Sequence, residues 1–479
     1  MRTSIALVSL VPLLAACQSS LGTADAGGTT PTDVVTVTDT PVVTDGGAPA
    51  DTGPAADSGL VEMRSYTPMG CAHTVTATTG SHDNYVGDRT TFGAMPTPAN
   101  VHVSWPADPS TVAAFVWQTD AATYASVVQY GTDMAALSQT AVGSVSTGGS
   151  GANGVTIHET HVCGLTPDTT YYYRVGGEGH WSAVQHFKTA PAAGRTDYNV
   201  NFVVAGDSRD NFTVWQQVQQ RIMSGTQPPD FQLFSGDAVL LGTQQGAWQS
   251  WFTNAQPSLA AAPFVMVHGN HDALAINYLM QFAQPQSASA SQSELYFSFD
   301  YGPVHFLVLN DTPPNADYAG EVAGTELNWI RTDLMHAQAN RAHVPFIIAV
   351  HHKPAFASSQ HSADTDTVAV RNAWPPVFDQ YGVDVVFSGH EHDFEVSNEV
   401  DGTGASVSGR RGTRYYVAAG AGAQLYTLNG GAARPWSAYY ESVVNFLRVH
   451  ATMTSLEITP YRMDGTVINQ GHLTFTPRS

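Results

Sequence analysis

From residue 198 onward, short apolar runs alternate with stretches that have the amphipathic spacing of helices. This order of strands and helices is typical of a layered α/β domain, here expected at 198–479. The pattern predicts strands at 200–205, 230–235, 263–268, 295–299, 304–309, 345–350, 383–388, 414–418, 446–452, 455–461 and 473–476. It predicts helices at 213–223, 245–255, 321–341 and 367–381.

Residues 99–189 show a different pattern, with short alternating strands separated by turn residues. The segment 165–175 places a turn at Pro167 and Asp168 before a strand of alternating aromatic residues. It resembles a fibronectin type III-like sandwich, which implies an all-β domain at 99–189. Such a domain could bind a substrate or partner. The alternative, which we favour, is a structural domain packed beside the α/β domain.

The N-terminus, 1–17, carries an apolar run at 5–14 that is too short to span a membrane. The run is followed by small residues and Cys17, which is typical of an export signal. Residues 14–17 resemble a bacterial lipobox, which implies export and a lipid anchor at Cys17. Gln18 then favours, by resemblance to Gram-negative lipoproteins, the outer membrane or cell surface. The alternative is a plain signal peptide cleaved nearby.

Residues 18–58 contain no aromatic residue and are rich in Thr, Ala, Gly, Asp and Pro, so they are expected to form a disordered tether. The segment 59–98 has few strong patterns. If Cys17 is lipidated, Cys71 and Cys163 remain, and they are either one disulfide in an oxidising compartment or two separate thiols.

The formal net charge of −21 limits the choice of partner. No basic stripe is available to contact the phosphates of a polymer, so we expect no nucleic-acid partner, and membrane contact only through the lipid anchor. A small anionic substrate is compatible with this charge if metal ions reverse the field inside the site.

Polar residues follow five of the predicted strands at the point where each strand ends. The five segments are Gly206-Asp207-Ser208-Arg209-Asp210, Gly236-Asp237, Gly269-Asn270-His271-Asp272, His351-His352-Lys353-Pro354 and Gly389-His390-Glu391-His392. Each segment alone is a weak signal, but strand ends in an open α/β sheet surround one crevice. Together they would place carboxylate, amide and imidazole groups there. That mixture suits Zn, Mn or Fe, and one carboxylate can bridge two such ions.

With these motifs in this order, residues 199–476 resemble a calcineurin-like metallophosphoesterase. Together with the preceding sandwich, residues 99–476 resemble the purple acid phosphatase branch of that superfamily. The resemblance implies a four-layer α/β fold in which a β-sandwich is flanked by helices. It also implies two divalent or trivalent metal ions, of identity Zn, Mn or Fe.

The resemblance further implies six metal ligands, at Asp207, Asp237, Asn270, His352, His390 and His392. Asp207 and His392 would bind the first ion, Asp237 would bridge the two, and the other three would bind the second. His352 is favoured over His351 because the sequence from His352 to Pro354 matches the family's His-x-Pro.

His271 would not bind metal but would contact the phosphate and help to protonate the leaving group. Asp272 either orients His271 or serves the turn. His268, Glu391 and Glu395 are expected only to position their neighbours.

Two positions depart from the family pattern on the side of the first metal. Arg209 stands where many members have a histidine ligand, and Leu240 stands where purple acid phosphatases have a tyrosine that binds Fe(III). Asp210, Asn211 or water could take the missing place. Arg209 is either a contact to the substrate phosphate, which suits a guanidinium fork, or a structural arginine.

The sequence therefore predicts a metal-dependent phosphoric ester hydrolase, a phosphatase or phosphodiesterase acting on a small phosphorylated substrate. By this reasoning the metals acidify a bound water, and the resulting metal-bound hydroxide attacks the phosphorus. Two alternatives are a strict phosphodiesterase or nucleotidase, and a surface-binding protein whose catalytic domain has degraded.

Overall fold

The structure is a computed structural model. It describes residues 63–78, 88–146, 154–225, 227–286, 294–313 and 316–478. The expected export signal at 1–17 and tether at 18–58 lie outside these residues. Part of the segment 59–98 forms an antiparallel hairpin of β1 (Met63–Tyr66) and β2 (Val75–Thr78). Cys71, in the loop of this hairpin, forms a disulfide with Cys163.

The region predicted as all-β forms two facing antiparallel sheets. Its strands are β3 (Ala99–Ser104), β4 (Val112–Asp120), β5 (Val127–Gly131), β6 (Gln139–Val142), β7 (Ser144–Ser146), β8 (Val155–Cys163), β9 (Thr170–Gly177), β10 (His180–Trp181) and β11 (Gln185–Lys188). One sheet has the order β3-β4-β8-β7, and the other has the order β10-β9-β5-β6 with β11 paired to β9. Side chains such as Val103, Phe115, Tyr173 and Phe187 fill the space between them. The expected all-β sandwich is confirmed.

This sandwich packs tightly on the domain that follows. Trp105 enters the central core of the following domain, and the Tyr173 hydroxyl donates to the carbonyl of Ala260 over 2.7 Å. Ile157 on the sandwich packs against Ile276 and Met280. Burying a tryptophan and several aliphatic side chains across the boundary favours the role of a structural domain.

The following domain alternates strands with helices, as predicted. Its strands are β12 (Val200–Ala205), β13 (Phe231–Phe234), β14 (Phe264–Met266), β15 (Phe297–Tyr301), β16 (Val304–Val308), β17 (Phe346–His351), β18 (Val385–Ser388), β19 (Phe394–Ser397), β20 (Arg414–Ala418), β21 (Ser437–Glu441), β22 (Asn445–Ala451), β23 (Leu456–Arg462) and β24 (Leu473–Phe475). Its α-helices are α1 (Phe212–Met223), α2 (Gln245–Asn254), α3 (Ser258–Ala261), α4 (Ile276–Leu279), α5 (Glu326–Ala339), α6 (Thr365–Ala373) and α7 (Pro375–Tyr381). Short 3₁₀ turns lie at Asn429–Gly431 and Asn469–Gly471.

Two mixed sheets form the centre of this domain. The first large sheet has the order β14-β13-β12-β22-β23-β24, and the second has the order β15-β16-β17-β18-β20-β19-β21. Apolar side chains from both sheets, such as Phe202, Phe231, Phe306 and Phe387, pack between them. Helices α1 and α2 cover the outer face of the first sheet, and α5, α6 and α7 cover that of the second. This is the expected arrangement of helix, sheet, sheet and helix.

The structure corrects two predicted helices. The helix expected at 321–341 begins as a π-helical segment, Tyr318–Thr325, before α5. The helix expected at 367–381 is divided into α6 and α7 at Pro375. Proline has no backbone N–H to donate and its ring crowds the preceding turn, so it starts a helix more readily than it continues one.

On the second large sheet, His305 of β16 lies between two carboxylates. Its Nδ1 is 2.6 Å from Asp300 Oδ1 and its Nε2 is 2.8 Å from Asp333 Oδ2. Burial favours the neutral ring, but the hydrogen bonds that the ring donates to the two carboxylates outweigh it and raise the pKa of His305 to about 9. Among the described residues, none of the helices combines the length and apolar character needed to cross a membrane.

Candidate metal centre

The polar segments of both large sheets meet at one edge of the domain. Strands β12, β13 and β14 are parallel neighbours, and so are β17 and β18, so their carboxyl ends point the same way within each sheet. Asp207, Asp237 and His390 have φ angles of 58°, 58° and 67°. This left-handed backbone costs a residue with a side chain roughly 1–2 kcal/mol. Such strain clusters at functional sites, where the surrounding structure holds it in place.

One buried cluster consists of Asp237, His352 and His390, whose ligand atoms lie within 4.8 Å of one another. His352 Nε2 is 3.3 Å from Asp237 Oδ1 and 2.8 Å from Asn270 Oδ1. The Nδ1–H of His352 donates to the carbonyl of Ser235 over 2.8 Å, which leaves Nε2 as the ring nitrogen that faces the cluster. Both ring nitrogens of His390 are buried and without a hydrogen-bond partner within the described part of the chain. These donors fit a metal ion.

A second buried cluster consists of Asp207, Asp237 and His392, again within 4.8 Å of one another. His392 Nε2 is 3.5 Å from Asp207 Oδ1, and its Nδ1–H donates to the carbonyl of Gln424 over 2.8 Å. Asp237 belongs to both clusters. Its Oδ2 is buried and, in the part of the chain that the structure describes, accepts no hydrogen bond. A carboxylate in this position has the geometry to bridge two ions.

The charges of the site also fit bound cations. Burial acts against ionisation of Asp237, but His352, followed by His271 and Arg209, holds the pKa of that carboxyl well below its usual range. Burial raises the pKa of Asp207. For His352, burial favours the neutral ring, yet Asp237 and then Asp207 raise its pKa to about 10. The carboxylates therefore stabilise positive charge at His352 Nε2, where a metal ion would compete with the proton.

The two adjacent histidines after β17 point in different directions. His351 Nδ1 is 2.8 Å from Asp311 Oδ2, and the His351 ring packs edge-on against Trp374 with centroids 5.2 Å apart. The structure thus brings His352 to the candidate ligands, whereas His351 pairs with the buried Asp311. Successive side chains of a strand face opposite sides, which explains the difference.

His271 lies beside the bridging carboxylate and is 8% exposed. Its backbone N–H donates to Asp237 Oδ1 over 2.9 Å, and its ring Nδ1 is 3.0 Å from the carbonyl of Leu240. This contact assigns the Nδ1 proton and leaves Nε2 as the nitrogen that can exchange a proton with a ligand. Asp272 serves the turn, because its carboxylate accepts from the backbone N–H groups of Asp237, Ala238 and Gly269.

Arg209 lies at the edge of the Asp207–Asp237–His392 cluster and is 9% exposed at its side chain. Its Nε is 3.6 Å from Asp237 Oδ2, and its Nη2 is 3.4 Å from both His392 Nε2 and the Tyr426 hydroxyl. The guanidinium therefore stands where the family's additional histidine ligand is expected. Leu240 is 45% exposed and offers only its carbonyl to His271.

The other two candidates for the missing ligand have different contacts. Asn211 Oδ1 accepts from the backbone N–H of Val214 over 3.2 Å and so caps α1. Asp210 Oδ2 accepts from the backbone N–H of Gln424 over 3.2 Å. The structure does not bring either side chain into the metal-ligand clusters.

Sequence reasoning overlooked three residues next to the site. The Tyr426 ring stacks on His392 with centroids 4.0 Å apart, and the His361 ring lies 4.7 Å from that of His390. Both come from loops with no strand-end signal. Asp311 lies three residues after the end of β16, so the rule used for the other strands could have found it.

Comparison with known proteins agrees with this geometry. The family described as calcineurin-like phosphoesterase matches residues 200–394, and the N-terminal domain family of purple acid phosphatase matches residues 98–189. Purple acid phosphatase 23 of Arabidopsis thaliana is 29% identical over 346 residues, which cover 64% of this chain and 74% of that protein. Purple acid phosphatase 15 of the same plant is 28% identical over 277 residues, which cover 51% of this chain and 50% of that protein.

The fold is also shared with a solved structure. Purple acid phosphatase PPD1 from yellow lupin (Lupinus luteus) seeds superposes with a TM-score of 0.66 at 16% identity, covering 80% of this chain and 74% of that one. The two matched families follow one another in the same order as the two domains. The relatives named purple acid phosphatase agree with the same assignment. These matches support the assignment of residues 98–394 to the calcineurin-like metallophosphoesterases, in their purple acid phosphatase-like branch, and they indicate a metal-dependent phosphoric ester hydrolase of a family that uses two metal ions.

Proposed function

We propose that the chain hydrolyses phosphate esters of small molecules with two metal ions held at the strand ends. The observation that carries this proposal is the carboxylate of Asp237, which is shared by two buried ligand clusters. Asp207 and His392 would complete the first ion's ligands, and Asn270, His352 and His390 those of the second. The oxygen and imidazole donors suit Zn, Mn or Fe. When bound, the ions would acidify water and neutralise charge on the phosphate.

The chain's own residues would orient the substrate and handle the proton. Arg209 lies within the cluster at low exposure, so its guanidinium can donate to phosphate oxygens in a fixed geometry. His271 would hold a proton at Nε2 for the leaving-group oxygen, with its ring orientation fixed through Nδ1 by the carbonyl of Leu240. Leu240 supplies no phenolate, so we expect no iron–phenolate colour.

We also propose that the protein is exported and anchored through a lipid on Cys17, on the sequence pattern of residues 14–17. The disulfide between Cys71 and Cys163 is compatible with an oxidising compartment. In fractionated cells, Cys17→Ser should move the protein from the membrane to the soluble fraction. Equal membrane retention of the variant would refute the anchor.

The enzymatic proposal is tested on the purified chain loaded with Zn, Mn or Fe. Hydrolysis of 4-nitrophenyl phosphate is compared with that of bis(4-nitrophenyl) phosphate, and bound metal is measured in the same samples. We expect metal-dependent release of nitrophenolate. Cleavage of the diester alone would identify a strict phosphodiesterase, whereas cleavage of neither substrate by the metal-loaded chain would contradict the proposal and favour a degraded binding protein.

A further inference from the structure

A second group of metal-competent side chains lies in the N-terminal region, where the β1–β2 hairpin meets the end of β8. Cys71 and Cys163 form the disulfide, with Cα atoms 5.3 Å apart. His73 follows Cys71 by two residues, and His161 precedes Cys163 by two residues. The two segments therefore bring a Cys-x-His and a His-x-Cys sequence together.

Three side chains behind the disulfide form a hydrogen-bonded row that fixes the tautomer of His73. His161 Nε2 is 2.6 Å from Glu159 Oε1, so this nitrogen carries the proton and donates to the carboxylate. In the neutral ring of His161, Nδ1 is then the acceptor, and it lies 2.9 Å from His73 Nε2, which donates. His73 Nδ1 is left with a lone pair, and it lies 3.9 Å from Cys163 Sγ.

The three groups at the end of this row lie close enough to bind one ion once the sulfur–sulfur bond is broken. Cys71 Sγ, Cys163 Sγ and a ring nitrogen of His73 lie within 4.8 Å of one another. Tetrahedral zinc with Zn–S of about 2.3 Å and Zn–N of about 2.0 Å requires ligand atoms roughly 3.5–3.8 Å apart. The Nε2–H of His73 is held by His161, which is held in turn by Glu159, so the ring of His73 is oriented from behind as a metal-bound histidine is by its outer partner.

We propose that, when the disulfide is reduced, Cys71, Cys163 and His73 bind one zinc-like divalent ion, with a fourth position open to water. A dithiol reductant supplies two electrons and two protons, which convert the disulfide into two thiols while the reductant becomes a disulfide. The ion then displaces both thiol protons and binds two thiolates and the neutral Nδ1. The site would thus exchange a disulfide for a metal, and either would hold the hairpin to β8.

This site can be measured separately from the dinuclear centre, because the latter offers only oxygen and nitrogen ligands. The full chain is reduced with a phosphine under anaerobic conditions and titrated with Co²⁺. We expect a thiolate-to-cobalt charge-transfer absorption that saturates at one ion per chain and disappears on addition of Zn²⁺. The oxidised chain and the double variant Cys71→Ser, Cys163→Ser should lack this absorption.

Two further variants test the ligand and its support. His73→Ala, which keeps the disulfide for folding, should weaken cobalt binding at the thiolates at least tenfold. Glu159→Gln should weaken it by about 10- to 100-fold, as is usual for partners behind a metal-bound histidine. His186→Ala, an exposed histidine of the same domain, is the matched control and should bind as the wild type does. The proposal is wrong if the reduced chain shows no thiolate absorption, or if His73→Ala leaves its affinity unchanged.

Discussion

Replacement of Arg209 by methionine decides between its two interpretations, a phosphate contact and a structural arginine. Methionine keeps an unbranched stem of similar reach and removes the charge. The guanidinium is 3.6 Å from Asp237 Oδ2, and two unit charges at that distance interact by about 4–5 kcal/mol at an effective dielectric constant of about 20. That charge opposes a cation in the first cluster, so its removal should preserve or strengthen metal binding.

The same replacement should weaken the enzyme's action on phosphate esters. Hydrogen bonds to charged groups contribute about 1.5–3 kcal/mol, so we expect kcat/KM to fall about 10- to 150-fold in Arg209→Met. The metal content should remain at two ions per chain. A structural arginine would instead cause a loss of stability and of metal together.

The assay is steady-state hydrolysis of an aryl phosphate by metal-loaded protein, with metal content and the free energy of unfolding measured on the same preparations. Arg410→Met is the control, because Arg410 is an exposed arginine that pairs with Asp379 on the surface. The phosphate contact is refuted if Arg209→Met keeps kcat/KM within twofold of the wild-type value. Unchanged activity in Arg410→Met is required for the comparison to hold.

Three further changes have defined outcomes. The pKa of His305 is about 9 in the folded protein against an ordinary value of 6.5. Its protonated ring therefore stabilises the folded protein by about 2 kcal/mol, after allowance for its partly exposed partner. This contribution is complete below pH 6.5 and is lost as the pH rises through 9. Urea unfolding of His305→Gln should therefore lack this pH dependence, and an identical profile would contradict the assignment. Tyr426→Ala removes the ring stacked on His392 and should weaken binding of the first metal about 10-fold by equilibrium dialysis, whereas wild-type affinity would show that the stacking is not needed. Gly389→Ala would place a Cβ 2.5 Å from Asp207 Oδ2. The variant should lower metal content and hydrolysis by at least about 10-fold. A fully active variant would show that the loop can move to accommodate the methyl group.

Much of the fold follows from the pattern of apolar runs, because buried parallel strands are nearly continuous in Val, Ile, Leu and Phe. Strands β12 and β20 have the predicted bounds. Strand β19 was not predicted, because it contains the buried, charged Glu395, whose carboxylate is satisfied by the side chain and backbone of Ser358. Only tertiary contacts make that residue compatible with a buried strand.

Which loops converge on the candidate site was predictable, and the His-x-Pro match favoured the histidine that the structure brings to the cluster, but the contacts that hold each side chain were not predictable. His352 faces the ligands because the carbonyl of Ser235 holds its Nδ1. Asp272 serves the turn because its carboxylate accepts from four backbone N–H groups. Those partners come from other strands and depend on packing that a linear motif does not encode. The role of each ligand stays a prediction until metals are measured.

The shared carboxylate of Asp237 is the centre of this account, and its replacement by asparagine is the most direct test. Metal content by mass spectrometry and hydrolysis of aryl phosphate should be measured for the wild type, Asp237→Asn and the exposed control Asp464→Asn. We expect two ions per chain and full activity in the wild type and in the control. Asp237→Asn should lose at least one ion and lower kcat by at least about 10²-fold, since the group proposed to bridge both ions is neutralised. An Asp237→Asn variant that keeps two ions and wild-type activity would contradict the account.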